Sequence, residues 1–260
     1  MENLSIKLFS VFHKPFIKPA AGFVIPVQGG MVSAKENLGF YGDDTGENIS
    51  HLNAHFNELT VVYNIWRNNS AKNLPVWGLC HYQRYFYIAP PSLLSPSKPL
   101  YKKKIQQPVL DKVVNEKLLL HLHKLLKTSD FVVQTPMQIR KTKYNETVKK
   151  QFIKFHGGEN WDIMKTVLLD KHPEYIDSFE NLSSSLKFSA FNMMVGDWQS
   201  WDKYLTWLFE ILFLLYEKIP PTNHPYQQRA IAFIAERLMN IYLMHNKIKV
   251  SYLPVAVFDK

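Results

Sequence analysis

Gly78-Leu-Cys-His-Tyr-Gln-Arg-Tyr-Phe86 joins the end of an apolar run to a polar, aromatic block. The run, Val76 to Cys80, begins directly after Pro75 and has the length and composition of a buried strand. Its His and Arg arrive where such a strand ends, and in open α/β sheets ligands bind outside the carboxyl ends of strands. His81 there is either a metal ligand or a hydrogen-bond donor, and Arg84 suits bidentate recognition of phosphate or carboxylate. The competing reading makes Tyr82, Tyr85 and Phe86 core aromatics, His81 a satisfied core histidine and Arg84 the partner of a surface ion pair.

Working outward, Ile6 to Phe12 reads as a first strand that runs into His13-Lys14-Pro15, and Phe23 to Val27 as a second, cut off by Gly29-Gly30. Gly39 to Ser50, rich in Gly, Asp and Asn, is a loop. Asn53 is placed to cap a helix reaching about Asn68, in which Phe56, Leu59, Tyr63 and Trp66 recur at helical spacing as a core stripe. Ala89 to Pro99 is a proline-rich loop or flap. Beyond it come a helix from Leu110 to Lys127, a strand from Phe131 to Val133, and helices Tyr144 to Phe155 and Trp161 to Leu169 around a His156-Gly-Gly158 turn. A strand from Ser189 to Val195 and a helix from about Trp198 to Ile219 follow, the latter stopped by Pro220-Pro221. A last helix from about Tyr226 to Asn246 precedes an apolar run from Val250 to Phe258.

The 260 residues are 46% hydrophobic and 20% charged, the balance of a globular chain. A net charge of +9 favours anionic partners without choosing among nucleic acid, acidic membrane and phosphorylated small molecules. Basic residues gather at Lys98 to Lys104 and from Arg140 to Lys154, either as solvated loops or as a landing surface for anionic lipid or a polyprenyl diphosphate. The lone cysteine, Cys80, excludes an internal disulfide framework and suits a reducing compartment as a small buried hydrophobe. Met1-Glu-Asn-Leu-Ser lacks a secretory pattern, and the most apolar window, Tyr204 to Tyr216, contains Glu210 and falls short of the roughly 20 residues that span a bilayer. The expectation is a cytoplasmic protein, with peripheral contact to the inner membrane.

Three carboxylates, Asp43, Asp44 and Glu47, lie within five positions beside Asn48 and repel one another unless a cation or several donors compensate. They bind a divalent metal, hydrogen-bond sugar hydroxyls, or form a solvated turn. In the last helix, at about 100° per residue, Phe233, Glu236 and Asn240 fall within about 40° of Arg229, a narrow polar stripe on an otherwise apolar helix. Arg229 and Glu236 are then either a buried structural pair or acceptor-side groups, with Glu236 a candidate base. His13 and Lys14 stand at the exit of the first strand, where doubly wound sheets meet a nucleotide. The His156-Gly-Gly158 turn is a turn, or a closure over a diphosphate. The chain holds no Walker A sequence, Gly-x-Gly-x-x-Gly fingerprint, His-Glu-x-x-His or Cys-x-x-Cys pair, which removes the usual NTPase, Rossmann, zinc-protease and zinc-finger readings.

Read in order, Val11-Phe-His-Lys-Pro15, Gly42-Asp-Asp-Thr-Gly-Glu-Asn-Ile-Ser50, Asn57-Glu-Leu-Thr60 with Tyr63 and Trp66, Cys80-His-Tyr-Gln-Arg-Tyr-Phe86 and Phe233-Ile-Ala-Glu-Arg-Leu238 resemble the DUF4422 family of bacterial polysaccharide-biosynthesis glycosyltransferases over most of the chain. The family usually shows two adjacent Arg where this chain has Gln83-Arg84, so Arg84 alone would carry a phosphate-clamp role. The resemblance implies a GT-A-like α/β fold: one domain over 1–260, a mostly parallel central sheet flanked by helices, a donor-binding half to about residue 135 and a helical, acceptor-side half from about 136. It implies transfer of a sugar, galactose or galactofuranose to be tested early, from a nucleotide-diphosphate donor, UDP favoured, to a hydroxyl of a lipid-linked or oligosaccharide acceptor in capsule, exopolysaccharide or O-antigen synthesis. Donor contacts then fall to His13, Lys14, Asp43, Asn48, His81, Tyr82 and Arg84, catalysis to Asp44 and Glu236, and the acceptor side to Arg229 and Asn240. No Asp-x-Asp occurs. Either His81 and Asp44 hold Mn2+ or Mg2+, or Arg84 and nearby lysines replace the metal. Contact with anionic membrane is expected and nucleic acid is not. The rivals are a non-catalytic basic module that binds nucleic acid or anionic membrane, and a metal-dependent hydrolase using His81 and Asp44.

Overall fold

The computed structural model describes residues 5–89, 100–102, 106–139 and 146–258. The loop expected from Ala89 to Pro99, except Ala89, and the basic residues Lys98, Lys103, Lys104, Arg140, Lys141 and Lys143 lie outside these. The strands are β1 (Ile6–Phe12), β2 (Val24–Gln28), β3 (Tyr41–Gly42), β4 (Val76–His81), β5 (Arg84–Phe86), β6 (Leu100–Lys102), β7 (Phe131–Gln134), β8 (Met137–Gln138), β9 (Lys187–Phe188), β10 (Met194–Gly196), β11 (Val250–Leu253) and β12 (Val255–Phe258). The helices are α1 (Asn53–Phe56), α2 (Leu59–Arg67), α3 (Gln107–Val113), α4 (Glu116–Leu126), α5 (Val148–His156), α6 (Gly158–Lys171), α7 (Ile176–Ser184), α8 (Trp198–Lys218) and α9 (Ala230–His245).

One mixed sheet runs in the order β11-β7-β10-β4-β1-β2-β3, with β5, β12 and β6 continuing from β4. β1 pairs in parallel with both β2 and β4, so the two strand ends carrying His13 and His81 emerge side by side, Val11 opposite His81. Side chains alternate across these strands as the period of two demands. Ile6, Leu8, Val76 and Cys80 face the core under α3 and α4, whereas Phe9, Val11, Trp77 and Leu79 face the larger core under α2 and α5 to α9. Burial on both faces explains why β4 reads as a continuous apolar run. Cys80 is fully buried, and burial pushes its thiol up to about 12.

Two details fix β4 in place. A Cβ on Gly78 would stand 2.7 Å from the Met194 carbonyl oxygen of antiparallel β10, so only glycine admits that strand. The Trp77 ring stacks on Trp201 of α8 at 4.3 Å, and Trp201 Nε1 donates to the Trp77 carbonyl.

Several local expectations are corrected. The helix expected from Asn53 to Asn68 is two helices, broken where Asn57 takes φ 49°. Asn53 donates from Nδ2 to the Asn57 carbonyl and Thr60 Oγ1 and caps no helix. The helix from Leu110 to Lys127 divides at Asn115, whose side chain accepts from the Lys117 and Leu118 amides. The expected strand from Ser189 shrinks to β10, because Phe191 (φ 71°) and Asn192 (φ 52°) are left-handed. His156 ends α5, and a 3-10 turn over Gln227–Arg229 precedes α9. Lys149, Lys150 and Lys154 lie exposed on α5, Lys154 in an ion pair with Glu146.

Candidate functional site

A cleft of about 680 Å³ opens at the carboxyl ends of β1 and β4, a size typical of small-molecule sites. His13 and Gly29 reach it from the ends of β1 and β2, and His81, Tyr82, Gln83 and Arg84 from the turn between β4 and β5. Asn53, Asn57 and Glu58 come from α1 and its junction with α2. Tyr226, Arg229, Phe233 and Glu236 come from the start of α9 and the segment before it. Six residues singled out in the sequence, His13, His81, Tyr82, Arg84, Arg229 and Glu236, therefore meet in one cavity.

Phe191 organises its floor. The carbonyl of Phe191 accepts from His81 Nε2 at 2.7 Å, its amide donates to Glu236 Oε1 at 2.9 Å, and its ring lies 4.6 Å under the Arg84 guanidinium. Holding two consecutive residues at positive φ costs about 1–3 kcal/mol each, strain of the kind that surrounding structure must over-determine. Asn192, the second of them, donates from Nδ2 to Glu58 Oε1 at 2.7 Å.

The electrostatics separate cations from acids. Burial, then the Arg84 charge, lowers the pKa of His81 to about 3, so the ring is neutral and its Nε2–H is committed to a carbonyl. Partial burial followed by Lys14, Arg229 and His81 lowers the pKa of His13, whose Nε2 sits 3.4 Å from the Tyr82 hydroxyl. Arg84 and Arg229 make no ion pair with a carboxylate among the described residues, and the buried Nε of Arg84 has no hydrogen-bond partner there. Arg229 rests over Phe233 at 5.1 Å. Against these cations stand Glu58 and Glu236, both held above the ordinary carboxylate range by burial.

The two acids differ in freedom. Glu236 has both oxygens engaged, one by the Phe191 amide and one by Arg237 at 2.8 Å. The buried pair expected between Arg229 and Glu236 is thus formed by Arg237, which also donates to Gln151 and the Phe233 carbonyl. Glu58 accepts from Asn192 on Oε1, lines the cleft and forms no ion pair among the described residues.

The remaining sequence candidates lie elsewhere. Asp43 is fully buried and accepts from the Gly30 amide (2.8 Å), the Met31 amide (3.0 Å), Ser50 Oγ (2.6 Å) and Thr60 Oγ1, so it braces the loop after β2 and has nothing left for a ligand. Asn48 bonds locally to the Asp44 and Gly46 carbonyls, and Asp44 is exposed and does not line the cleft. Glu47 is spent on Arg67 and Tyr63. Asn240 clasps the backbone of Ser189 from below. Lys14 lies beside the site, 5.8 Å from the Tyr82 ring. No group of three or more His, Cys, Asp or Glu side chains able to hold a metal exists among the described residues. Asp44 lies outside the cleft that His81 lines, so these two do not form the metal pair offered by the sequence.

Sequence reasoning missed Glu58, Phe191 and Asn192. Asn57-Glu58 stood inside what reads as one helix, and the Phe191 segment inside what reads as a strand. An Asn beside each, a residue tolerant of left-handed backbone, was the available signal.

A family model described as a domain of unknown function, DUF4422, matches residues 7–247. The chain belongs to the DUF4422 family. Among solved structures, this DUF4422 chain is similar to the apo form of the bifunctional glycosyltransferase WbbM, with a TM-score of 0.86 at 22% identity over 98% of its own length and 46% of the WbbM chain. The chain thus spans about half of that protein, and at this identity the likeness shows the fold: the expected central sheet flanked by helices. No curated protein matches the DUF4422 chain.

Proposed function

We propose that the chain is a glycosyltransferase that moves a sugar from a nucleoside-diphosphate donor to a hydroxyl of a bacterial surface glycan. The observation that carries this reading is the cleft itself, where two arginines without carboxylate partners among the described residues face two acids of raised pKa at the carboxyl ends of adjacent parallel strands. A diphosphate spanning Arg84 and Arg229 would pair with both guanidinium groups. The Glu58 carboxylate accepts the proton of the acceptor hydroxyl as the hydroxyl oxygen bonds to the anomeric carbon, and the bond from that carbon to the donor phosphate oxygen breaks with its electron pair leaving on the diphosphate. Arg84 and Arg229 stabilise the developing charge. A single base on the acceptor side favours inversion.

A metal would serve the same charge. Because Arg84 and Arg229 have no carboxylate partner among the described residues, we propose a metal-independent reaction in which the arginines do that work. UDP-galactose, in its pyranose or furanose form, is the proposed donor and a lipid-linked or oligosaccharide glycan the proposed acceptor, in capsule or O-antigen synthesis at the cytoplasmic face of the inner membrane. Among the described residues no helix is long and apolar enough to cross a membrane.

The experiment is a thermal-shift panel of UDP-, GDP-, CDP- and dTDP-sugars, with and without Mn2+ or Mg2+. A shift confined to one nucleotide class and independent of metal supports the reading. A flat panel with salt-sensitive RNA or liposome binding would replace it with a non-catalytic basic module.

A further inference from the structure

Tyr226 is a large aromatic that remains 42% exposed while lining a polar cleft. It belongs to the connection between α8 and α9, whereas the positions where a doubly wound sheet receives a nucleotide, His13 and Gly29, follow directly on β1 and β2. Its ring is backed: it stacks on His156 with centroids 5.6 Å apart and planes 21° apart, and His156 stacks in turn on Phe233 at 4.0 Å and 27°. His156 is only 4% exposed, while Phe233 is half-buried, lines the same cleft and packs beside the Tyr226 ring at 5.1 Å. Gln227, the next residue, is tied by Nε2 to the Phe155 carbonyl at 2.9 Å, which holds the ring's backbone against α5.

We propose that Tyr226 is the stacking platform for a hexopyranose ring of the acceptor glycan, an assignment that rests on the glycosyltransferase reading. A pyranose has an apolar C–H face and a hydroxyl rim. The C–H face packs on the electron-rich face of an aromatic ring, while the rim needs donors and acceptors beside it. Both are present here: the rigid, half-exposed ring, and Arg229 three residues on with Glu58 across the same cleft. A nucleobase would also stack, but the topology places it at the strand ends. A purely structural tyrosine would have no reason to stay 42% exposed in the cavity with the buried His156 ring stacked against it.

The test is saturation-transfer NMR on the full chain with methyl β-D-galactopyranoside and methyl α-D-glucopyranoside as probes. Saturation should reach the ring C–H protons of at least one glycoside and survive addition of UDP. Affinity should fall by about fivefold to tenfold in Tyr226→Ala, the size of one aromatic contact, and persist in Tyr226→Phe. No transfer to either glycoside, equal affinity in Tyr226→Ala, or displacement by UDP would overturn the assignment. Nucleotide-sugar thermal shifts of the same variants read the donor site separately. Glycoside binding through Tyr226 without any donor shift would sink the transferase reading and leave a glycan-binding platform.

Discussion

Asn192 reaches across 134 positions of sequence to donate to Glu58 Oε1 at 2.7 Å, and so fixes the acid proposed as the base. The donor side chain sits on a residue in left-handed backbone, directly after the one that engages His81 and Glu236. Loop and acid are thus set together.

Glu58→Gln keeps the hydrogen-bonding shape but cannot take a proton. Transfer should fall by about 10²–10⁴-fold, the usual weight of a general base, with donor affinity unchanged. Asp44→Asn, at an exposed position outside the cleft, should leave turnover within about twofold on the same reasoning. Steady-state kinetics with nucleotide titration checks both, and a fully active Glu58→Gln would move the base to Glu236.

Arg84→Ala and Arg229→Ala each remove a cation from the proposed diphosphate. Each should weaken donor binding by roughly 10- to 100-fold, the equivalent of a charged hydrogen bond of about 1.5–3 kcal/mol. Excess EDTA should leave wild-type turnover intact. Inhibition by EDTA that is restored by Mn2+ would refute the metal-independent mechanism.

Stability should fall in acid because of two buried histidines. Burial, chiefly, lowers both His81 and His156 from 6.5 to about 3. The unfolded chain takes up these protons below 6.5 and the folded chain does not, so unfolding is favoured progressively from pH 6.5 down toward 3. Glu58 acts with the opposite sign: its raised folded pKa means that its charge costs stability above the ordinary value of 4.5. Denaturant titrations across this range should show a flatter acid slope for His156→Phe and a gain at neutral pH for Glu58→Gln.

Gly78→Ala sets a methyl group 2.7 Å from the Met194 carbonyl, a backbone atom that cannot swing aside. The cost should be about 1–3 kcal/mol, the range of core overpacking, read as a lowered midpoint in urea with an unchanged slope.

Much of this was legible in the sequence. β1 and β4 were visible as apolar runs because both faces of each are buried, and the 100° count along α9 brought Arg229, Phe233 and Glu236 to one side, where the cleft uses them. What escaped depended on partners far apart. Charge spacing drew attention to Asp43, but nothing local reveals that its oxygens are consumed by amides at Gly30 and Met31. The stripe paired Glu236 with Arg229, whereas Arg237 reaches its carboxylate from the adjacent position. Glu58 stayed hidden because one left-handed residue, Asn57, splits a helix that composition makes look continuous.

β5 holds Arg84 between two neighbours made at very different times. His81 pairs with it from three residues away, but its other edge is closed by β12, with Val257 opposite Arg84 and the Phe258 amide donating to the Gln83 carbonyl at 2.8 Å. A ribosome delivers that second edge more than 170 residues after the first, as the numbering of Arg84 and Val257 shows. During synthesis the Arg84 cation is therefore among the last parts of the cleft to be locked, and a chain terminated before β12 carries the sequence of the cleft without the edge that holds β5.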